Sequence, residues 1–361
     1  MPIDVIESVD RFDALRPQWD AVYDRDLQGR VFLSWAWLRA HLNVTRRRPC
    51  IFAYRPPGDD AYRAFLPLAV EQFPSPVTPL GRDIYCLGNP SADYTGLIAE
   101  AQHEEAALAG FSEQLQAMRW DNFHAHDVSD ERLTRMISTL PPDRFRELTR
   151  PQTKCPYIPL PSTWEEYLQT RLNKRFRGDL RRNIRAVKAL PDFQIELLDA
   201  GNVEEVADLT LRFSQARYKN SPRYRYEQKA LLIGCMRTNC LVGMVISTGK
   251  TPLATVLAFV DARRHELCAY KTAFNPLYAS FSPGTVVAGL MIEHAIQSGF
   301  KVYDFSRGSE RYKFHFGPEL RFTHHTSVTR VGVRSSIGNA VRPLARIPVR
   351  ITEKLLSRLP A

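Results

Sequence analysis

The sequence has no apolar run long enough to cross a bilayer as a helix. Its most apolar stretch, Leu241 to Val260, is broken by Lys250 and Pro252. It lacks a basic leader as well: Met1 to Glu7 carries acid and no cation, so no signal peptide is expected there. Cys50, Cys86, Cys155, Cys235, Cys240 and Cys268 form no CxxC pair, and a chain this long needs no disulfide staples, so reduced thiols and a cytoplasmic protein are expected. No Walker A motif and no G-x-G-x-x-G occurs, which removes nucleotide hydrolysis and dinucleotide binding. No G-x-S-x-G occurs either, and no strand-to-helix elbow surrounds Ser306-Arg307-Gly308-Ser309, which argues against a nucleophilic serine. There is no H-E-x-x-H. His124 and His126 would share one face of a strand, but His315, His324 and His325 are loosely spaced, so the histidines read as isolated and no metal is expected.

What remains is 361 residues, 44% hydrophobic and 24% charged, enough for a sizeable core and about two domains. Lysine and arginine outnumber aspartate and glutamate 49 to 39. That excess suits a polyanionic partner: nucleic acid, a pyrophosphate-bearing cofactor or an anionic membrane surface.

The second half reads as strand (251–260), strand (266–273), a turn at Phe281-Ser282-Pro283-Gly284, an apolar helix to Gln297 and a short strand from Val302 to Phe305. The first half holds a faint copy: strand 64–72, helix 101–118, strand 120–123. Two related α/β halves are expected, joined near residue 155 by the proline-spaced stretch 149–161, which suits an extended connector or edge strand. Behind it Ser162 and Glu165 form a capping box. Trp164, Leu168, Leu172, Phe176, Leu180, Ile184 and Val187 then make a helical stripe, with a bend between two helices expected at Gly178. Eight cations flank that stripe, from Arg171 to Lys188 and including Arg175. Its aromatics lie on the buried side, so it is a solvated basic face or a surface that attracts an anionic substrate.

Ser282-Pro283-Gly284-Thr285 opens a helix. Pro283 suits the first turn, and Gly284 leaves room for backbone approach to a phosphate at a helix N-terminus. Together with Phe32-Leu33-Ser34-Trp35-Ala36-Trp37-Leu38, Phe65-Leu66-Pro67-Leu68, Trp164-Glu165-Glu166-Tyr167-Leu168 and the run Tyr303 to Lys313, this turn brings a family into view. Over residues 5 to 330 the sequence resembles the tandem-domain branch of the GNAT N-acetyltransferase superfamily. That branch holds the CelD-like acyltransferases of polysaccharide gene clusters and is related to the FemAB aminoacyltransferases.

The resemblance implies an α/β fold of two GNAT-like modules, each a mixed sheet flanked by helices: residues 1–154, then 155–334 with the donor site, then a tail, 335–361. It also implies transfer of an acyl group from an acyl-CoA co-substrate, acetyl-CoA first among them, to an amine of a sugar, an amino acid or a cell-envelope precursor. Single-domain relatives carry a Q/R-x-x-G-x-G/A loop where this chain has Phe281 to Thr285. The missing basic residue keeps a carrier-protein thioester or an aminoacyl-tRNA open as donor, beside a non-catalytic GNAT-fold binding protein.

Acyl transfer needs an unprotonated amine and a proton for the departing thiolate. Asp304 is the first candidate for base or amine anchor, against the alternative that it caps the next turn. Glu310 is the second candidate base, and Tyr312 and Tyr270 are candidate proton donors. Arg307, Lys313 and Arg175 are candidates for substrate binding, and Ser282, Gly284 and Thr285 for the donor's pyrophosphate. From Arg330 onward seven cations face the single acid Glu353, interleaved with apolar residues and interrupted by Pro343 and Pro348. Such a segment lies on an anionic membrane or packs on the protein itself.

Overall fold

The computed structural model describes residues 3–74, 79–215 and 221–332. The basic tail expected over 335–361 lies outside them. The strands are β1 (Ile3–Ile6), β2 (Arg48–Pro49), β3 (Ile51–Tyr54), β4 (Ala64–Leu66), β5 (Leu68–Pro74), β6 (Pro79–Cys86), β7 (Ile98–Ala99), β8 (Asn122–Val128), β9 (Phe145–Pro159), β10 (Phe193–Leu197), β11 (Leu241–Thr248), β12 (Thr251–Asp261), β13 (Glu266–Phe274), β14 (Val302–Asp304) and β15 (Glu319–Arg330). The helices are α1 (Val9–Ala14), α2 (Arg16–Arg25), α3 (Trp35–Leu42), α4 (Glu104–Ala117), α5 (Glu131–Ser138), α6 (Trp164–Thr170), α7 (Lys174–Lys188), α8 (Val203–Gln215), α9 (Pro222–Arg237), α10 (Pro283–Gln297) and α11 (Arg311–Phe314). The described residues fall into two compact units, one of those up to 152 together with 322–332, and one of those from 153 to 321. No expectation covered β15, which returns the chain to the first unit.

In the first unit β1, β3, β4 and β7 form a four-stranded sheet. Residues 64–72 make two strands and not one. Pro67, which has no N–H to donate, separates β4 from β5, and β5 pairs instead with β6 and β2. β8 lies parallel to β6 and antiparallel to β15. Phe52, Phe111, Phe123 and Trp120 are buried in the core beneath α4 and α5. Arg132 is buried too, its guanidinium 2.8 Å from Asp26 and 2.9 Å from Asp130, with the Leu97 carbonyl accepting a further bond. A buried charge is tolerable only when its donors are matched in this way.

In the second unit β10 to β13 form an antiparallel meander. β14 joins it parallel to β13 and antiparallel to the end of β9. The prolines of β9 fit because they serve as acceptors: Pro156 receives the Phe305 N–H, while the next donor, Leu160 N–H, reaches Lys301. The capping residue of the basic segment is Thr163, whose Oγ1 accepts from Glu166 N–H, and not Ser162. The break between its two helices comes at 171–173 and not at Gly178. Asn173 Oδ1 there takes the Phe176 N–H at 2.9 Å and caps the start of the second helix, which then runs through Gly178. The predicted stripe does face the core. Leu180 sits on the bare Gly289 of α10, where an added Cβ would lie 3.0 Å from Leu180 Cδ1.

Candidate functional site

β13 and β14 pair for only three residues: Glu266 with Val302, Leu267 with Tyr303, and Cys268 with Asp304. β14 then ends while β13 runs on to Phe274, so the pairing reaches only Cys268. Glu266 to Ala269 are buried, and Tyr270 to Thr272 are partly exposed. A bulge falls at the same place. Ala258 opposes Ala269 but Leu257 opposes Lys271, which leaves Tyr270 as the extra residue. Bulges of this kind re-aim a side chain beside a site.

α10 starts next to the end of β13. Ser282, at φ 52° and ψ 47°, turns the chain into the helix, and its carbonyl takes the N–H groups of Thr285 at 3.0 Å and Val286 at 3.1 Å. Two expectations change here. The Thr285 N–H is engaged by Ser282, while the Gly284 N–H has no carbonyl four residues behind it within the helix. The space left by Gly284 holds the Phe274 ring, since an added Cβ would be 3.1 Å from Phe274 Cδ1.

Asp304 is fully buried. Its Oδ1 accepts from Ser306 N–H at 2.6 Å, and its Oδ2 accepts from Arg321 Nη1 at 2.9 Å. Of the two roles weighed for Asp304, capping the next turn is the one these contacts describe, and they fix Ser306 in its left-handed φ of 57°. Lys313 Nζ donates to the Arg307 carbonyl at 2.9 Å and lies 3.0 Å from Glu310 Oε2. This buried ammonium clips the 307–310 loop together. Glu310 keeps 31% of its side chain exposed, whereas Asp304 exposes none. Between the two carboxylates, Glu310 is the one an acceptor in solvent can reach.

Tyr270 Oη donates to Gln228 Oε1 at 2.6 Å, and Lys271 Nζ lies 4.8 Å from the Tyr270 ring centre. Tyr312 stands edge-on to Phe305 at 6.2 Å. Burial, with Tyr312 and Tyr167 nearby, pushes the neighbouring Tyr303 phenol far above its usual range, so it stays neutral. Arg307 is partly exposed, and Arg175 is exposed on α7 with Lys174, Arg185 and Lys188. Arg181 and Arg171 on the same segment are paired with Glu165 and Glu319. Asp304, Tyr270, Ser282 and Gly284 thus come from the strand pair and the helix start. Glu310, Tyr312 and Lys313 follow β14 on one loop and helix, and Arg175 stands on a different helix. Sequence reasoning missed Gln228, Phe274 and Arg321, which carry no motif of their own.

The short parallel pair, the bulge and the helix start lie inside one recognisable domain. Residues 174–314 match the family model of the acetyltransferase (GNAT) domain. Across almost the whole chain the fold is that of FemX, with a TM-score of 0.65 at 12% identity over 90% of this chain and 97% of that one. It is similar also to L-PGS from Bacillus licheniformis, with a TM-score of 0.53 at 10% identity over 95% and 97%. A C-terminal domain assigned to a lysylphosphatidylglycerol synthetase of Agrobacterium fabrum gives 0.56 at 11% identity over 93% and 97%. At these identities the likeness shows fold alone. No curated protein matches the sequence. Among the described residues no helix is long and apolar enough to cross a membrane.

Proposed function

We propose that the chain is an N-acyltransferase that lays an acyl thioester into the opening between β13 and β14. Acyl-CoA is the donor, acetyl-CoA first among the candidates, and a primary amine of a sugar, an amino acid or a cell-envelope precursor is the acceptor. The observation that carries this reading is that β14 ends opposite Cys268 while β13 runs on through the Tyr270 bulge, inside a segment that matches the GNAT domain. A strand that runs past its neighbour can hold an extended pantetheine arm by main-chain hydrogen bonds. The Gly284 N–H at the start of α10 meets the pyrophosphate.

In the reaction the amine nitrogen forms a bond to the thioester carbon and the carbon–sulfur bond breaks. Glu310 takes the proton the amine loses, directly or through water, and Tyr270 or Tyr312 returns one to the thiolate. Asp304 with Arg321 holds the Ser306 turn in place and takes no proton. Arg307 faces the acceptor. A polysaccharide-cluster role of the CelD-like kind belongs to this same proposal.

A second reading makes aminoacyl-tRNA the donor, as in FemAB-like transferases. The FemX-like fold over 90% of the chain favours it, as do exposed cations of α7, Lys174, Arg175, Arg185 and Lys188 among them. Thermal-shift titration separates the two. Stabilisation by CoA and acetyl-CoA, with thiol release when amines are added, supports the first. Stabilisation by tRNA alone overturns it in favour of the second. A folded protein that responds to neither overturns both and leaves a binding protein. Contact of the 335–361 tail with anionic membrane is tested separately, by liposome pull-down of the full chain against one ending at Arg334.

A further inference from the structure

Among the described residues one group of side chains converges as metal ligands do, and it lies in the first unit. His124, His126 and His325 each offer one ring nitrogen, and these nitrogens lie within 4.8 Å of one another. Two strands bring them together. His124 and His126 share a face of β8 by the two-residue alternation. β15 pairs antiparallel to β8, with Ser327 opposite His124 and Thr326 opposite Ala125. The register then slips by one. His324 opposes Val128, so His325 stands against the two residues His126 and Asp127, and Asp127 takes the left-handed φ of 52° that such a bulge uses. The slip sets the His325 ring edge-on to His126, with centroids 3.8 Å apart. Spacing along the chain could not reveal this, because the register across two distant strands decides it.

The surroundings fit bound imidazoles. His325 Nε2 is 2.8 Å from Ser327 Oγ, and His124 Nε2 is 3.6 Å from Oδ2 of the buried Asp83, whose Oδ1 accepts from Asn122. Metal-bound histidines characteristically have a carboxylate or hydroxyl against the ring to fix its orientation. The His124 ring also stacks on Tyr85 at 5.0 Å. Two cations stand nearby. Arg47 lies over Tyr85 and is paired with Glu71, and Arg150 acts on His325. All three histidines are partly exposed, so an ion can enter from solvent. Nitrogens on one tetrahedral zinc sit about 3.4 Å apart for bonds of about 2.1 Å, so a small rotation of the rings closes the set.

The geometry points to a three-histidine site for a divalent transition cation, zinc by its preference for imidazole, that staples β15 to β8 and keeps a fourth position for water. Its test is metal content. Untagged full-length protein is stripped with chelator, incubated with zinc and desalted. The wild type is expected to retain about one zinc per chain, the stoichiometry of a mononuclear site. His126→Ala and His325→Ala should fall to background with unchanged circular dichroism. Zinc retained equally by the triple alanine variant, or no zinc retained by the wild type, overturns the proposal. If the variants do not fold, histidine modification of the wild type by diethyl pyrocarbonate decides. Protection of these three residues by zinc supports the site, and unchanged modification overturns it.

Discussion

Replacing Arg321 with methionine tests the Asp304 ion pair, together with the longer contact of Arg321 to the buried Glu266 at 3.8 Å. The aspartate side chain is 0% exposed and the arginine 20%, with Nη1 and Oδ2 2.9 Å apart. The variant keeps the carboxylate buried and removes the guanidinium beside it. Such losses cost about 3–5 kcal/mol when both groups are fully enclosed. Water can reach the Arg321 side, and Asp304 retains its 2.6 Å bond from Ser306 N–H, which argues for the low end. Loss of the guanidinium from the Tyr157 face, 3.8 Å away, adds about 0.5–1 kcal/mol. The expected total is about 3.5–4 kcal/mol. With a urea slope of about 2 kcal/mol per molar, the midpoint falls by about 1.8–2 M. Hydrogen exchange at residues 300–316 in urea reads this unit by itself. Asp304→Asn with Arg321→Met should recover at least half of the loss, because only the more distant buried Glu266, 3.8 Å from Arg321, is then left facing the lost guanidinium. A single-variant loss under about 1 kcal/mol, or a double variant no better than the single, would refute the reasoning.

Burial, with the charge of Arg47 nearby, lowers the His41 pKa to about 3, against an ordinary 6.5. The unfolded chain therefore binds a proton below pH 6.5 that the folded one refuses, and stability drops as pH falls from 6.5 toward 3, by about 2 kcal/mol at pH 5. His41→Phe should flatten that limb in urea unfolding, and equal slopes in both proteins would count against the assignment. Gly284→Val puts a Cβ against Phe274 and should weaken CoA binding roughly tenfold, or about 1.4 kcal/mol, by calorimetry. An unchanged Kd would remove the α10 turn from the donor site. Glu310→Gln should cut turnover by about 10²–10⁴-fold with donor affinity retained. Turnover at the wild-type rate would leave Glu310 as a partner that clips the loop to Lys313.

Elements defined by local signals were legible in the sequence. The α10 start, with Pro283 after Ser282, and the β12–β13 pair lie within a residue of their expected places. Competing local chemistry misled at two points: Asn173 caps the start of a new helix that runs on through Gly178, and Pro67 divides what reads as one strand. The site was legible in its strand and turn and illegible in its partners. Nothing around Arg321 or Gln228 announces that one will hold Asp304 and the other Tyr270, because those contacts arise from elements far apart in the chain. The histidine cluster escaped for the same reason, since a one-residue register slip creates it.

Hydrogen exchange with and without acetyl-CoA tests the donor site most directly. Protection is expected over 268–274 and 282–287, the end of β13 that runs past β14 and the start of α10, with little change elsewhere in either unit. Slowed exchange confined to other segments, or none at saturating acetyl-CoA, would contradict placement of a thioester donor between β13 and β14.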